Sequence, residues 1–448
     1  MNKEYDVFSF SGKSINCYGL EVVKKATENR GIVYHEYEKG SCRDVLVSVY
    51  WPGQIYDFVR WRYHSDMKTR KILVGGNTPT CNPAPFLGFG ANVFLGDGEN
   101  WDGNIANGEY IIGENNELQK KKSIAETINP IPFADIQSNK RFFCEMSRGC
   151  KNKCLFCQYG WLKPYRESDV SDIIAVLKRS DTKSIRMFAA DRFQHSKYIK
   201  IRKTMDALGK CDTGSDVSLK FVLKNKEYLK FTHKVRVGIE GMSYRLRCLV
   251  GKKYTDDDIV NFCVDVVNAG IKCLDFYMIY GLPTENKEDV DQFSLLLKKL
   301  DSALPANYVV AIHWNAFTPS AQSPFQWEES AYHYDTEHLN NKILTNRTTN
   351  SNIRLMHKPK LTSRKTILQR MLAIRCSEKT KNIIYGVSQK MSLFDKPQSI
   401  LNAYKDTDGV DLLGKWPDDK DFPWDRHVVY NKSGMQKLKN QNILKHGG

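Results

Sequence analysis

Four cysteines stand within fourteen residues in CEMSRGCKNKCLFCQYGWLKPYRE (residues 144 to 167), three of them as Cys150-x3-Cys154-x2-Cys157. No other feature of the 448-residue chain limits its folding as strongly, because thiols at this spacing must share one loop. What they do there depends on the compartment. With no apolar run of about eighteen residues and no charged-then-apolar leader in MNKEYDVFSFSGKSINCYGLEV, we expect neither a membrane span nor export, and hence a cytoplasmic protein with reduced thiols. A tight cluster then signals a metal or redox centre rather than a disulfide. Cys17, Cys42, Cys81, Cys211, Cys248, Cys263, Cys273 and Cys376 sit singly, as buried free thiols do. Cys144 follows RFF at the end of a strand-like run and reads as core packing.

The number of ligands narrows the choice of centre. Structural zinc takes four ligands, usually as paired knuckles, and no second CxxC or His pair follows nearby. A cubane iron-sulfur cluster held by three cysteines keeps one iron free for an exogenous ligand, which suits catalysis better than electron storage.

Length predicts two or three domains. DVLVSVYWP (44 to 52) reads as a buried strand, QIYDFVRWRYHS as a helix, and KILVGG (71 to 76) and ANVFLGDGE (91 to 99) as strands entering glycines. Such alternation predicts a parallel sheet with its ligand edge at the strand carboxyl ends. Residues 115 to 140 lose periodicity and gain charge and proline, the composition of a linker. Strand-like runs then recur in RFFCEMS, SIRMFAA, KVRVGIE, KCLDFYMIYGLP and YVVAIHWNAF, with amphipathic helices such as VSDIIAVLKRS, TDDDIVNFCVDVVNAG and NKEDVDQFSLLLKKL between them. Repeated β-α units predict a full or partial parallel barrel with its chemistry on the loops after the strands. Beyond residue 335 the pattern weakens around one clear helix, SRKTILQRMLAIR.

The CxxxCxxC spacing with Phe156 before the third cysteine resembles the radical S-adenosylmethionine (SAM) superfamily. Three further segments resemble that family in order: VRVGIEGMSYRLRCLVGK (235 to 252), where its members close on SAM, FYMIYGLPTENKEDV (276 to 290), and HWNAFTPSAQSPFQWEE (313 to 329). The last is similar to members carrying an N-terminal cobalamin-binding-like domain, as is VGGNTPTCNPAPFLGFGANVFLGDGE near the start. The implied fold is α/β: an N-terminal Rossmann-like parallel sheet (1 to 120), a partial (β/α)6 TIM-type radical SAM barrel (138 to 335) and a small C-terminal α+β extension that caps or meets substrate (336 to 448).

The resemblance implies that Cys150, Cys154 and Cys157 bind a 4Fe-4S cluster whose open iron chelates SAM. Reduction would then cleave SAM to methionine and a 5′-deoxyadenosyl radical that abstracts hydrogen from substrate, with an electron donor such as flavodoxin or ferredoxin. By matching position, Phe156 would lie near adenine, Glu240 and Ser243 would hydrogen-bond the ribose or amino group, and Arg245 or Arg247 would meet the carboxylate. The alternatives are core packing for Phe156 and a solvated helix start for SYRLR. FAADRF (188 to 193) replaces the family's Gly-Gly-Glu-like turn, leaving Asp191 or backbone carbonyls for the amino group. The Asp-x-His-x-x-Gly signature of histidine-ligated cobalamin is absent, so the first domain either binds cobalamin without it or is an empty scaffold. No motif singles out a catalytic residue.

The formal charge of +16, from 67 basic and 51 acidic residues, favours a polyanionic partner, the alternative being a lysine-rich soluble surface. Tyr159, Trp161, Lys163, Tyr165 and Arg166 mix rings with cations, either to stack a nucleobase and hold its phosphate or to cap the barrel mouth. The expected activity is modification or isomerisation of a nucleic-acid base, such as a hypermodified thymine of viral DNA. A cobalamin-dependent methyltransferase acting on a small molecule or RNA is one alternative, and a non-catalytic iron-sulfur scaffold or redox sensor is another. Methylthio transfer is disfavoured because the remaining cysteines are not grouped.

Overall fold

The computed structural model describes residues 3–10, 17–63, 67, 69–106, 108–113, 119–131, 133–135, 141–344, 354–357 and 361–447. The first sheet contains β1 (Lys3–Ser9), β2 (Ile32–Glu36), β3 (Asp44–Ser48), β4 (Ile72–Gly75), β5 (Asn92–Phe94) and β6 (Ile111–Ile112), in the order β2-β1-β3-β4-β5-β6. The first five are parallel and β6 is antiparallel. Both faces are covered, as a parallel sheet requires. In β3, Val45 and Val47 enter the main core while Leu46 points the other way, into a smaller core with Tyr5, Val7, Leu73 and Trp101. The order 2-1-3-4-5 reverses between β1 and β3, and open α/β sheets bind ligands at the carboxyl ends beside such a reversal.

The second body begins with β7 (Phe133–Asp135), antiparallel to β8 (Arg141–Glu145). A two-stranded ribbon, β9 (Ser147–Arg148) with β10 (Arg166–Glu167), pinches off the loop that carries the cysteines. The succession continues with β11 (Ser184–Phe188), β12 (Cys211–Asp212), β13 (Val235–Glu240), β14 (Cys273–Tyr280), β15 (Val309–Ala316) and β16 (Arg354–His357). β8, β11 and β12 run parallel, an Asp216–Arg236 bridge carries the curve to β13, and β13 to β16 run parallel in turn. That is the partial barrel, with β16 added at its far edge. In β13, Val235, Val237 and Ile239 are buried, and the intervening Arg236, Gly238 and Glu240 are half-buried on the opposite face.

The helices that close the barrel start where their sequences say they should. Thr255 and Asn286 form capping boxes with Asp258 and Asp289, which stabilise the helices Asp256–Asn268 and Lys287–Ala303. Part of the expected linker, 115 to 140, lies outside the described residues. Its described portion is docked, for Ser123 bridges Gly96 and Lys120 bridges Val428. The C-terminal extension is mainly helical, and its described strand, β16, joins the barrel sheet instead of forming one of its own. Arg375, fully buried, donates to the carbonyls of Leu412, Gly414, Gln326 and Glu328 at 2.9, 2.7, 3.1 and 2.9 Å, tying this extension to the barrel. Asn82 donates to the carbonyls of Ile374 and Cys376 at 3.0 and 2.8 Å, tying it to the first body as well. Among the described residues no helix is long and apolar enough to cross a membrane.

Candidate active site

The cysteine loop leaves the carboxyl end of β8, the first parallel strand of the barrel. Gly149 opens it at φ +70°, where a Cβ would lie 2.5 Å from the Pro164 carbonyl oxygen, so only glycine lets the loop close on itself. Backbone bonds hold the loop between two later segments: Leu155 N–H donates to Val250 at 3.1 Å and Phe325 N–H donates to Leu155 at 3.0 Å. Trp161 lies beside it, donating from Nε1 to the Cys154 carbonyl at 3.0 Å.

Cys150 and Cys154 are buried, Cys157 is partly so, and all three are free thiols. Burial pushes each thiol up, Cys157 to about 12; Cys154 also feels the charge of Cys150, and Cys157 that of Cys154 and Cys150. Against burial, the Lys252 charge pulls Cys150 and Cys154 down. Gln194 Nε2 donates to Cys150 Sγ at 3.2 Å. Among the described residues no three Cys, His, Asp or Glu converge on a single metal ion. Three thiols on one loop, without a fourth ligand beside them in sequence, fit an iron-sulfur cluster with one open iron better than a four-ligand structural zinc. Cys144 lies apart, fully buried in the core as its sequence context predicts.

Two acidic side chains flank the loop. Asp191, after β11, accepts from Asn152 Nδ2 at 3.0 Å and from Gln194 Nε2 at 3.1 Å, which links it through Gln194 to Cys150. Glu240 ends β13 in a bulge at φ +67° and lies 2.9 Å from Lys252 Nζ. Phe156 is half-buried against the core.

The other three side chains expected to meet SAM have internal partners. Ser243 is 1% exposed, caps the helix Tyr244–Leu249 through Leu246 N–H and donates to Asp289. Arg245 pairs with Asp289 and donates to Thr284 O and His446 O, each at 3.0 Å. Arg247, fully buried, pairs with Asp256 and donates to Tyr254 O at 2.7 Å. Internal acceptors hold both guanidinium groups, so neither presents a free fork to a carboxylate. The cation beside the thiols is instead Lys252, which donates to Gly238 O at 2.8 Å as well as to Glu240. Its sequence signal is the Gly251-Lys252 pair, where Gly251 at φ +87° ends the helix and turns Lys252 back toward β13.

Above the cysteine loop, a cavity of about 830 Å³ separates the carboxyl edge of the first sheet from the ends of β8 and β11. One wall is the first sheet's edge, with Ser48, Gly75, Gly76 and Gly96; the other includes Phe143, Glu145, Arg186 and Phe188. A Cβ added at Gly75 would meet nothing within 4 Å, so this wall is open backbone. The lining residues all fall between Cys17 and Ala190, leaving the C-terminal extension outside the cavity wall. Of the five side chains expected to face substrate, Tyr159 and Lys163 line the cavity, the Tyr159 hydroxyl 2.6 Å from that of Tyr50. Trp161 and Tyr165 do not: Trp161 supports the cysteine loop, and Tyr165 donates to Glu167 at 3.0 Å with Lys151 4.2 Å from its ring centroid.

Arg166 and Lys163 are taken up by the first body. Asp97, 2% exposed in the turn after β5, lies 2.6 Å from Lys163, 2.8 Å from Arg166 and 3.4 Å from Arg148, and accepts from Ala125 N–H at 3.1 Å. Burial alone would raise its carboxyl, but Lys163, Arg148 and Arg166 together hold it well below the usual carboxylate range. This clasp fixes the Gly-rich turn of the first sheet to the segment following the cysteines. It explains the basic residues there without a phosphate.

The sequence model of the Radical SAM superfamily matches residues 144–297, and this part of the chain is a radical SAM domain, the class whose members hold a 4Fe-4S cluster and SAM. Over 68% of its length the chain resembles 53% of the cobalamin-dependent SAM radical enzyme OxsB solved with aqua-cobalamin bound, at a TM-score of 0.50 and 16% identity. It is 25% identical over 203 residues to an uncharacterized protein of Methanocaldococcus jannaschii, covering 42% of this chain and 43% of that protein. The chain thus spans about half the length of each of these two. The likeness to OxsB establishes the architecture, a Rossmann-like sheet ahead of a radical SAM barrel.

Proposed function

We propose that this protein is a radical SAM enzyme that acts on a small organic substrate in the cavity between its two sheets, with cobalamin seated on the glycine-lined edge of the first. The observation that carries the reading is the placement of three free thiols, two buried and one partly so, on the loop after β8 whose flanking residues Gly149 and Tyr159 line that cavity. Cys150, Cys154 and Cys157 would hold the cluster, and Asp191, Glu240 and Lys252 are the polar groups placed to orient SAM. When bound and reduced, the cluster with SAM supplies a 5′-deoxyadenosyl radical, and cobalamin supplies a cobalt centre for methyl or one-electron chemistry.

The chain's own residues prepare that chemistry. Burial of the thiols excludes water from the loop, Gln194 fixes Cys150, and the bulge at Glu240 aims its carboxylate back at Lys252. The fit to cobalamin rests on the 2-1-3-4-5 order, the open backbone at Gly75 and a cavity of the size that takes cofactors. No histidine is among the residues lining it, consistent with the missing histidine signature.

The formal charge of +16 supports a second reading, with the substrate a base within a nucleic acid. Anaerobic reconstitution, dithionite reduction and assay for 5′-deoxyadenosine test the enzyme reading. The wild type should yield it and Cys157→Ala should not; equal yields would leave only an iron-sulfur scaffold or sensor. Turnover stimulated by duplex DNA or tRNA, and by no small molecule, would replace the first substrate reading with the second. Product mass then separates methyl transfer from isomerisation.

A further inference from the structure

The cavity wall carries six charged side chains, Asp97, Glu99, Glu145, Arg148, Lys163 and Arg186. Five pair among themselves. Lys163 and Arg148 pair with Asp97, and Arg148 also lies 2.6 Å from Glu99 and 2.7 Å from Glu145. Arg186 stands outside this network. The nearest carboxylate recorded for it is Asp216 at 4.0 Å, a side chain that is itself 66% exposed and does not line the cavity. A loose pair with an exposed partner contributes little and is readily exchanged for a better acceptor.

The surroundings of Arg186 define what that acceptor would belong to. In register with Arg186 on the neighbouring strand is Phe143, and Phe188 follows two residues on along β11, on the same face. Phe188 packs edge-on to Tyr18 at 4.7 Å and lies 6.3 Å from Phe143, so three rings make one wall of the cavity. A guanidinium beside an aromatic wall matches a flat body that stacks or packs on the rings and ends in an oxyanion held by the fork.

Building on the enzyme reading above, we propose that Arg186 is a substrate-specificity residue, and that the substrate is a planar aromatic small molecule bearing one carboxylate or phosphate. Arg186 holds the anion while Phe143, Phe188 and Tyr18 hold the ring. A nucleoside monophosphate and an aromatic carboxylate share this chemistry. Two pairs of probes separate them: adenosine 5′-monophosphate against adenosine, and indole-3-carboxylate against indole.

The experiment is equilibrium binding to the full-length, cluster-reconstituted protein with SAM and without reductant. At least one anionic probe should bind ten-fold or more tighter than its neutral partner, because the fork makes a charge-assisted contact that the neutral probe lacks. The pair that shows the gap identifies the source. Arg186→Ala should abolish the gap, and Arg186→Lys, which keeps the charge and loses the fork, should retain part of it. The proposal is overturned if neither pair shows a gap, if the gap survives in Arg186→Ala, or if duplex DNA binds more tightly than both anionic probes regardless of residue 186. 5′-Deoxyadenosine yield from the same wild-type preparation keeps the two readings apart. Yield without a gap overturns this inference alone; a gap without yield overturns the enzyme reading alone.

Discussion

Replacing Asp97 by asparagine tests whether the two sheets are held together by one buried carboxylate. In the wild type that carboxylate meets Lys163, Arg166 and Arg148, and Asp97 is 2% exposed. Arg148 would keep Glu145 and Glu99, but Asp97 is the carboxylate recorded within ion-pair distance of Lys163 and Arg166. Asp97→Asn therefore strands two partly buried cations. Removing one partner of a buried pair costs about 3–5 kcal/mol, most of it the desolvation of the charge left behind. Urea unfolding near pH 7, followed by tryptophan fluorescence, should show a loss of this size. Because the pair is buried, raising salt from about 0.1 to 1 M should change the loss little. The pH dependence has a definite sign. A carboxyl held below its unfolded value contributes its full stabilisation above that value and loses it as pH falls toward the folded one, so the gap between wild type and variant should persist down to about pH 4 and close below it. The double variant Asp97→Asn/Lys163→Met should recover part of the loss. A loss under about 1 kcal/mol, or one that salt halves, would mean the clasp is a screened surface network and the reasoning fails.

Three further outcomes are expected. Gly75→Leu should prevent hydroxocobalamin from co-eluting with the protein while leaving its unfolding midpoint nearly unchanged, since the new side chain enters open cavity at a backbone that is not left-handed; retained cobalamin would move that site elsewhere. Arg247→Met should lower stability by about 3–5 kcal/mol with SAM affinity per folded molecule unaltered, whereas Glu240→Gln should both weaken SAM binding by roughly ten-fold or more per folded molecule and lower stability, because it strands the Lys252 cation, as calorimetry on reconstituted protein would show. Burial pushes the Glu285 carboxyl up to about 7, against the pull of Tyr334 and the Gly281 and Leu282 N–H groups, so its neutral form belongs to the fold. Stability should fall by at most about 3 kcal/mol as pH rises from about 5 to 8, and Glu285→Gln should flatten that fall in denaturation curves taken across the range.

What the chain disclosed in advance follows from the kind of signal each element carries. The barrel strands and their helices were legible because KVRVGIE, KCLDFYMIY and YVVAIHWNA are apolar runs bounded by turn residues, and capping residues mark the helix starts. β1 was not legible. Its KEYDVFS places Asp6, a fully buried charge, in the middle of the strand, and local pattern cannot reveal that Arg43 and Arg70, far along the chain, neutralise it. The same limit governs the site. Three cysteines within eight residues announce themselves, since their spacing is local. A cation's role depends on what surrounds it, and SYRLR and KPYR look alike as basic clusters near a turn. The fold gives Arg245 and Arg247 internal carboxylates and carbonyls, gives Lys163 and Arg166 a carboxylate from the first sheet, and leaves Lys252 beside the thiols and Arg186 beside the rings. Of the cations that line the cavity, Arg186 is the one that folding leaves with a loose partner, and its neighbours in sequence say nothing of it.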